Sequence, residues 1–260
     1  GLVEDDYVAV FPVPRKRKYG IPYLIQPMHL KFLDIYSTRQ ELSKDEWFHK
    51  YLLLLQRFPY VNIFVSETIQ HRFNRPDDKR MNGQELDLSA GFDKLKQNFT
   101  KNITKNLNQA SEYVFSFQEH VRVDDFLRLK QNNYAMQSTK GQLILLRKIL
   151  NAKNMQCTRE IVGIKNDNGV LINAVALLLH ANRIYILTSA TTKEARDKKA
   201  RFYMNQKIIK KYANSKHTLD FMGSNIDGIA YFNKGFGAKD YKYYHLELGM
   251  LQKVFKIVKN

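Results

Sequence analysis

The sequence predicts a mixed α/β fold, with a mixed sheet and helices packed on it, and three observations carry the prediction. Segments with apolar residues every three or four positions alternate with short β-branched or alternating segments. The longest apolar stretch, residues 170–179, is broken by Asn173 and suits a strand buried on both faces. In the second half the segments follow the order strand, two helices, three strands that read as antiparallel, helix, strand, helix, strand. Such interleaving layers helices against a sheet.

Taken in order, residues 7–13 read as a strand stopped by Pro14, and a basic loop, Arg15-Lys16-Arg17-Lys18, leads into turn chemistry at Tyr19-Gly20-Ile21-Pro22. Residues 45–58 read as a helix with Trp47, Tyr51, Leu54 and Leu55 on one buried face. Residues 61–65 form a strand, 74–83 a polar turn, and 86–88 the end of a further strand, with Ser89 placed to cap the helix beyond. A basic helix over 91–110 carries an apolar stripe of Phe92, Leu95, Phe99, Ile103 and Leu107. A strand at 113–117 and helices at 123–136 and 140–151 follow. Strands at 158–164, 171–179 and 183–188 precede a long basic helix at 193–213, a strand at 218–221, a short helix at 226–232 and a last strand near 241–246.

With 260 residues, 44% of them apolar, the chain can bury a full core and is not a disordered polymer. No apolar run reaches the ~20 residues of a membrane span. The chain opens on Gly1, without an initiator Met or a signal-peptide pattern. A single cysteine, Cys157, rules out an internal disulfide and leads us to expect a cytoplasmic protein. Of the net charge of +17, residues 1–90 contribute +1 (13 basic, 12 acidic) and residues 91–260 contribute +16 (29 basic, 13 acidic). That field favours polyanions such as nucleic acid, a nucleotide-bearing substrate or an anionic membrane; a solvated lysine-rich surface has the same composition.

Familiar catalytic arrangements are missing. The seven histidines are scattered, none at the i,i+4 spacing of a helical zinc site, and no metal is expected. There is no Walker loop, Rossmann fingerprint or nucleophile elbow. The informative stretch is 219–244: a strand ends in Asp220-Phe221, and a turn at Gly223-Ser224-Asn225 offers backbone amides ahead of a helix. Such a turn can seat an anion or a carbonyl oxygen. Lys234 and Lys239 add charge, and Tyr241, Tyr243 and Tyr244 can stack or donate.

This segment, with Phe232-Asn233-Lys234-Gly235-Phe236-Gly237, resembles the C-terminal Asp-Phe-x-Gly and Phe-Lys-x-x-Phe-Gly region of the Fem-type aminoacyltransferases, and is similar to uncharacterised GNAT-like proteins of Bacteroidetes-type bacteria. Residues 99–107 resemble the basic helix closing that family's first domain, and 23–27 its early strand-to-proline segment. Set against the family, the chain is short at its N-terminus, and Asn233 stands where the motif has its first lysine.

The resemblance implies tandem GNAT-like subdomains sharing a cleft: residues 1–111, completed by 240–260, and residues 112–239. It implies transfer of an acyl or aminoacyl group to an amine acceptor such as a cell-wall precursor, with aminoacyl-tRNA or acyl-CoA as the alternative donors. A catalytically silent binding protein on the same fold is the third reading. The expected catalytic residues are Lys234 and Asp220, with Asp220 orienting the turn or accepting a proton. Gly223, Ser224, Asn225, Arg15, Lys16, Lys18, Lys101 and Lys105 are expected to bind substrate. The stretch equivalent to the GNAT pyrophosphate loop, 191–200, has no glycine, so Lys198, Lys199 and Arg201 are expected to bind the donor phosphates in its place. Partners expected on the same grounds are an amine-bearing substrate, tRNA and, peripherally, an anionic membrane.

Overall fold

The computed structural model describes residues 2–3, 7–37, 45–73, 78–132, 138–153, 156–222 and 226–251. It divides into two compact units, residues 1–82 with 242–260, and residues 83–241. Compactness therefore groups residues 83–111, which the sequence reading placed with the first subdomain, with the residues that follow them.

In the first unit, β1 (Leu2–Val3) and β2 (Tyr7–Val10) form a small antiparallel sheet with a later strand. The expected basic loop is a strand, β3 (Arg15–Lys18), exposed along its length and paired with β4 (Ile21–Ile25). Tyr19 and Gly20 both have positive φ (50° and 77°), the geometry of a two-residue hairpin turn whose twist matches its strands. After β5 (Tyr36–Ser37), the partner of β2, helix α1 (Asp45–Gln56) buries Leu55, while Leu54, expected beside it, is 47% exposed. Strand β6 (Val61–Ser66) runs parallel to β4, and α2 (Glu67–Phe73) follows it. Val61, Ile63, Val65 and Ile69 pack with Leu24 and Leu33 in this unit's core.

Strand β7 (Lys79–Asp87) occupies the end of the expected polar turn and enters the second unit. The predicted helix over 91–110 is two, α3 (Phe92–Gln97) and α4 (Lys101–Ala110), because the Thr100 side chain caps the amide of Ile103 and restarts the helix. Gly91, not Ser89, caps α3. There follow β8 (Ser116–Gln118), α5 (Val123–Gln131) and α6 (Lys140–Asn151), the last opened by a capping box of Thr139 and Gln142. Next come β9 (Thr158–Lys165), β10 (Leu171–His180) and β11 (Arg183–Thr191), antiparallel in sequence as expected.

The predicted helix over 193–213 is also two, α7 (Lys193–Asp197) and α8 (Ala200–Tyr212). Strand β12 (Thr218–Asp220), helix α9 (Asp227–Gly235) and strand β13 (Lys239–Leu248) complete the chain, and residues 243–248 of β13 pair with β6 in the first unit. Strand order in the second unit is β7-β12-β11-β10-β9-β8. Phe126, Leu127, Leu146 and Leu150 of α5 and α6 cover one set of sheet residues, including Ala174 and Ala176. Met204, Ile208 and Phe236 of α8 and the end of α9 pack with another set, including Ile172 and Leu177. Burial on both faces explains why β10 reads as a continuous apolar run.

Candidate functional site

The site of the second unit is set where β11 and β12 part. β12 accompanies β11 only through the pairs Arg183–Thr218, Ile184–Leu219 and Tyr185–Asp220. On its other edge β11 pairs with β10, where Ala176 faces Thr188 and Leu177 faces Ile186. Leu187 is thus an extra residue, a bulge that bends the strand as bulges do. Beyond it, Ser189 and Thr191 line a cavity of about 510 Å³, together with Arg196, Lys199, Arg201 and Phe202 and with Gly228, Ile229, Phe232 and Asn233 of α9.

Lys199 forms the corner of that cavity. Its backbone is left-handed (φ 58°, ψ 21°), breaking the predicted helix after α7 and setting the start of α8. A left-handed non-glycine costs about 1–2 kcal/mol, so the surrounding packing imposes it. Helix α8 starts at this wall, and the Phe202 amide closes its first turn on the Lys199 carbonyl at 3.0 Å.

The electrostatics of the cavity are one-sided. Its described lining carries Arg196, Lys199 and Arg201 and no carboxylate. Among the described residues neither the Lys199 ammonium nor the Arg201 guanidinium has an ion-pair or hydrogen-bond partner, whereas Arg196 does. Burial of the Arg201 guanidinium pushes its pKa down to about 10, so it remains charged at neutral pH. Behind Ser189, Lys130 donates to the Ser189 carbonyl at 3.0 Å, and burial lowers its pKa as well. A bound anion would offset these desolvated charges.

At the other end of β11 the charges are matched. Arg183 Nη2 lies 2.5 Å from Glu85 Oε2 and 3.1 Å from Asp220 Oδ2. Asp220, 2% exposed, also accepts from the Tyr241 hydroxyl at 3.0 Å and from the Met222 amide at 2.8 Å. Gly83 makes room for this: a Cβ there would lie 2.2 Å from the Tyr241 ring.

The other expected residues fall in several places. Lys199 and Arg201 meet in the cavity, but Lys198 turns to Glu194 at 2.8 Å. Lys234 binds Asp240 at 2.5 Å, and its neighbour Asn233 is the one that lines the cavity. Asn233 donates to Gln84, and Gln84 donates to Asp240, so a polar chain joins Lys234 to the cavity wall. Gly223, Ser224 and Asn225 lie outside the described residues. Lys101 and Lys105 flank one shallow groove along α4 with Thr104 and Asn108. Arg15, Lys16 and Lys18 lie on β3 of the first unit. Thr191 and Arg196 fall in the stretch 191–200 singled out in the sequence, without a role given to either, and Ser189 was not foreseen; the small polar run Thr188-Ser189-Ala190-Thr191-Thr192 after an apolar strand was its local signal.

By sequence the chain matches no protein-family model and no curated protein. By structure it is similar to FemX (TM-score 0.66, 11% identity), over 100% of this chain and 89% of that one. It is also similar to the C-terminal domain of a putative lysylphosphatidylglycerol synthetase from Agrobacterium fabrum (TM-score 0.59, 10% identity, 96% and 84% covered). A third likeness is to L-PGS from Bacillus licheniformis (TM-score 0.56, 10% identity, 97% and 85% covered). The fold is the one FemX has. At 10–11% identity the likeness is one of fold, and the roles of residues rest on the geometry of this chain. No helix among the described residues is long and apolar enough to cross a membrane.

Proposed function

We propose that the chain transfers an acyl or aminoacyl group from a nucleotide-bearing donor to an amine. The observation that carries this reading is the 510 Å³ cavity at the parted strands, with the unpaired Arg201 in a lining free of carboxylates. A donor phosphate or a developing oxyanion would meet Arg201 and Lys199 there. On the edge away from β10, the bulged end of β11 has no paired strand among the described residues, the kind of backbone that can hold an extended acyl or peptidyl group. Asn233, held by Gln84, faces the same space as a neutral polar group, and Lys234 acts on it through Asp240 and Gln84 as a positioning residue. Asp220, already accepting from Arg183, Tyr241 and the Met222 amide, fixes the backbone as it leaves β12 at Met222.

In the reaction the acceptor nitrogen forms a bond to the acyl carbon. The ester or thioester bond then breaks, and the amine proton leaves with the departing alcohol or thiol. Positioning and charge stabilisation are enough to drive such chemistry. The donor we favour is aminoacyl-tRNA, with a cell-wall precursor amine as acceptor. The similarity to FemX and to lysylphosphatidylglycerol synthetase supports the aminoacyl class, and the absence of glycine from residues 191–200 weighs against acyl-CoA.

The test incubates the full chain with labelled aminoacyl-tRNA, or with labelled acyl-CoA, and a panel of amines including a lysine-containing peptide. Transfer from charged tRNA that is lost in Arg201→Ala supports the proposal. Transfer from acyl-CoA alone would replace the donor. No transfer from either, in a folded protein, would sink the enzymatic reading and leave a binding protein on this fold.

A further inference from the structure

We propose that a strip of aromatic rings on the second unit, Tyr113, Phe115 and Tyr203, stacks the unpaired bases of a single-stranded nucleic acid. The rings form a row: the centroids of Tyr113 and Phe115 are 6.1 Å apart, and those of Phe115 and Tyr203 are 5.5 Å apart. A lysine stands over each end, with Lys198 Nζ 5.4 Å from the Tyr113 centroid and Lys207 Nζ 5.1 Å from that of Tyr203. Phe115 and Tyr203 rest on the core beneath, which makes the row a rigid platform. Its outer end is open: Tyr113 is 40% exposed and the adjacent Val114 is 76% exposed.

Aromatic pairs on a protein surface commonly serve packing alone, and three observations separate this row from that case. Val114 and Tyr113 are left in solvent at the edge of the row, where packing would have covered them. The two lysines differ: Lys198 is anchored by Glu194, whereas Lys207 has no carboxylate partner among the described residues and is available to a phosphate. The strip also lies in the part of the chain, residues 91–260, that carries a net charge of +16. An exposed tyrosine continued by two half-buried rings, with a lysine at each end, suits an unpaired base and its backbone phosphate, whatever the base sequence. The arrangement favours a single strand, because a duplex has its base faces covered. The strip does not depend on the chain's being a transferase, and none of its three rings lines the cavity.

The test is fluorescence anisotropy of the full chain with a labelled adenosine oligoribonucleotide of about 12 nucleotides, within the usual range of single-strand sites. We expect the single strand to bind, and a blunt duplex of equal length to bind at least about tenfold more weakly. Tyr113→Ala should weaken single-strand binding about tenfold and Tyr113→Trp should preserve it, in line with the usual worth of one stacked base. Lys207→Gln should lower the slope of log affinity against log salt by about 0.7, one phosphate contact on a single strand. Tyr231→Ala, at a more exposed tyrosine on α9, should change nothing. Because Tyr113 is exposed, its variants should stay folded, which circular dichroism checks. Failure to bind the single strand, equal binding of the duplex, or indifference to Tyr113→Ala would each overturn the proposal. Acyl transfer is not read in this assay, so its failure and that of the proposed activity remain separate.

Discussion

Two arginines at opposite ends of β11 sit in opposite electrostatic settings. Arg183, at the start of the strand, is held between Glu85 and Asp220, and Asp220 is itself held by Tyr241 and a backbone amide. Arg201, beside the far end, is desolvated enough to lower its pKa and has no partner among the described residues. A buried charge with a full set of partners is part of the fold, and removing one partner strands the others. A desolvated charge without partners costs stability, which is reasonable only where a ligand supplies the missing charge. The contrast separates a structural cluster at one end of β11 from a binding cavity beside its other end.

The comparison is broken first at Arg201. Arg201→Ala should lower kcat/KM for acyl transfer by about 10²–10³, the usual loss of one preorganised donor to a developing charge. Arg201→Met should unfold at the same urea concentration as the parent or a higher one, because it removes an unpaired desolvated charge. Equal loss of stability and activity would put Arg201 in the fold. The reverse is expected of Asp220→Ala, which should cost about 3 kcal/mol in urea denaturation by leaving Arg183 and Tyr241 without their shared acceptor. Gly83→Ala should cost about 1–3 kcal/mol, since its Cβ would displace Tyr241 from Asp220; Gly91→Ala, with open space around it, is the control. Lys234→Ala is expected to reduce turnover about tenfold through Asn233, consistent with a positioning role. A loss as large as that of Arg201→Ala would move Lys234 into the chemistry itself.

The smallest expected effect is one of pH. Burial raises the pKa of Glu160, but hydrogen bonds from Lys211 and Tyr212 outweigh it and leave the carboxyl below its ordinary value. Its contribution to stability is therefore present above the usual glutamate pKa and lost as pH falls through the folded value. Burial lowers the pKa of Lys211, but the hydrogen bonds it donates to Glu160 and Glu119 leave it raised. Its contribution is present below the ordinary lysine pKa and lost as pH climbs through the raised one. Glu160→Gln should flatten both limbs of a melting-temperature profile, and an unchanged acid limb would remove Glu160 from the account.

How much of this was legible in the sequence differs by region. Residues 158–191 announced their three strands, because alternation and a continuous apolar run are local signals of burial on one or both faces. The two long basic helices were legible as amphipathic segments but not as broken ones. Thr100 restarts the first through a side-chain cap, and Lys199 turns the second through a left-handed backbone that no lysine announces. Leu54 fitted the stripe of α1 and is nonetheless exposed, since periodicity names a face without saying how much neighbouring structure covers it.

The amino-acid sequence by itself determined a mixed α/β chain, its basic second half and the likeness of residues 219–244 to a Fem-type motif. Only the tertiary structure decided which charges meet. On α8 and the turn before it, Lys199 and Arg201 line the cavity while Lys198 points to Glu194, and on α9 Asn233 lines it while Lys234 points to Asp240. One residue along a helix turns a side chain through about 100°, so neighbours in sequence are assigned to different partners. The cavity itself arises where β12 leaves β11 after three pairs and Leu187 bulges, and strand pairing joins residues far apart in the chain.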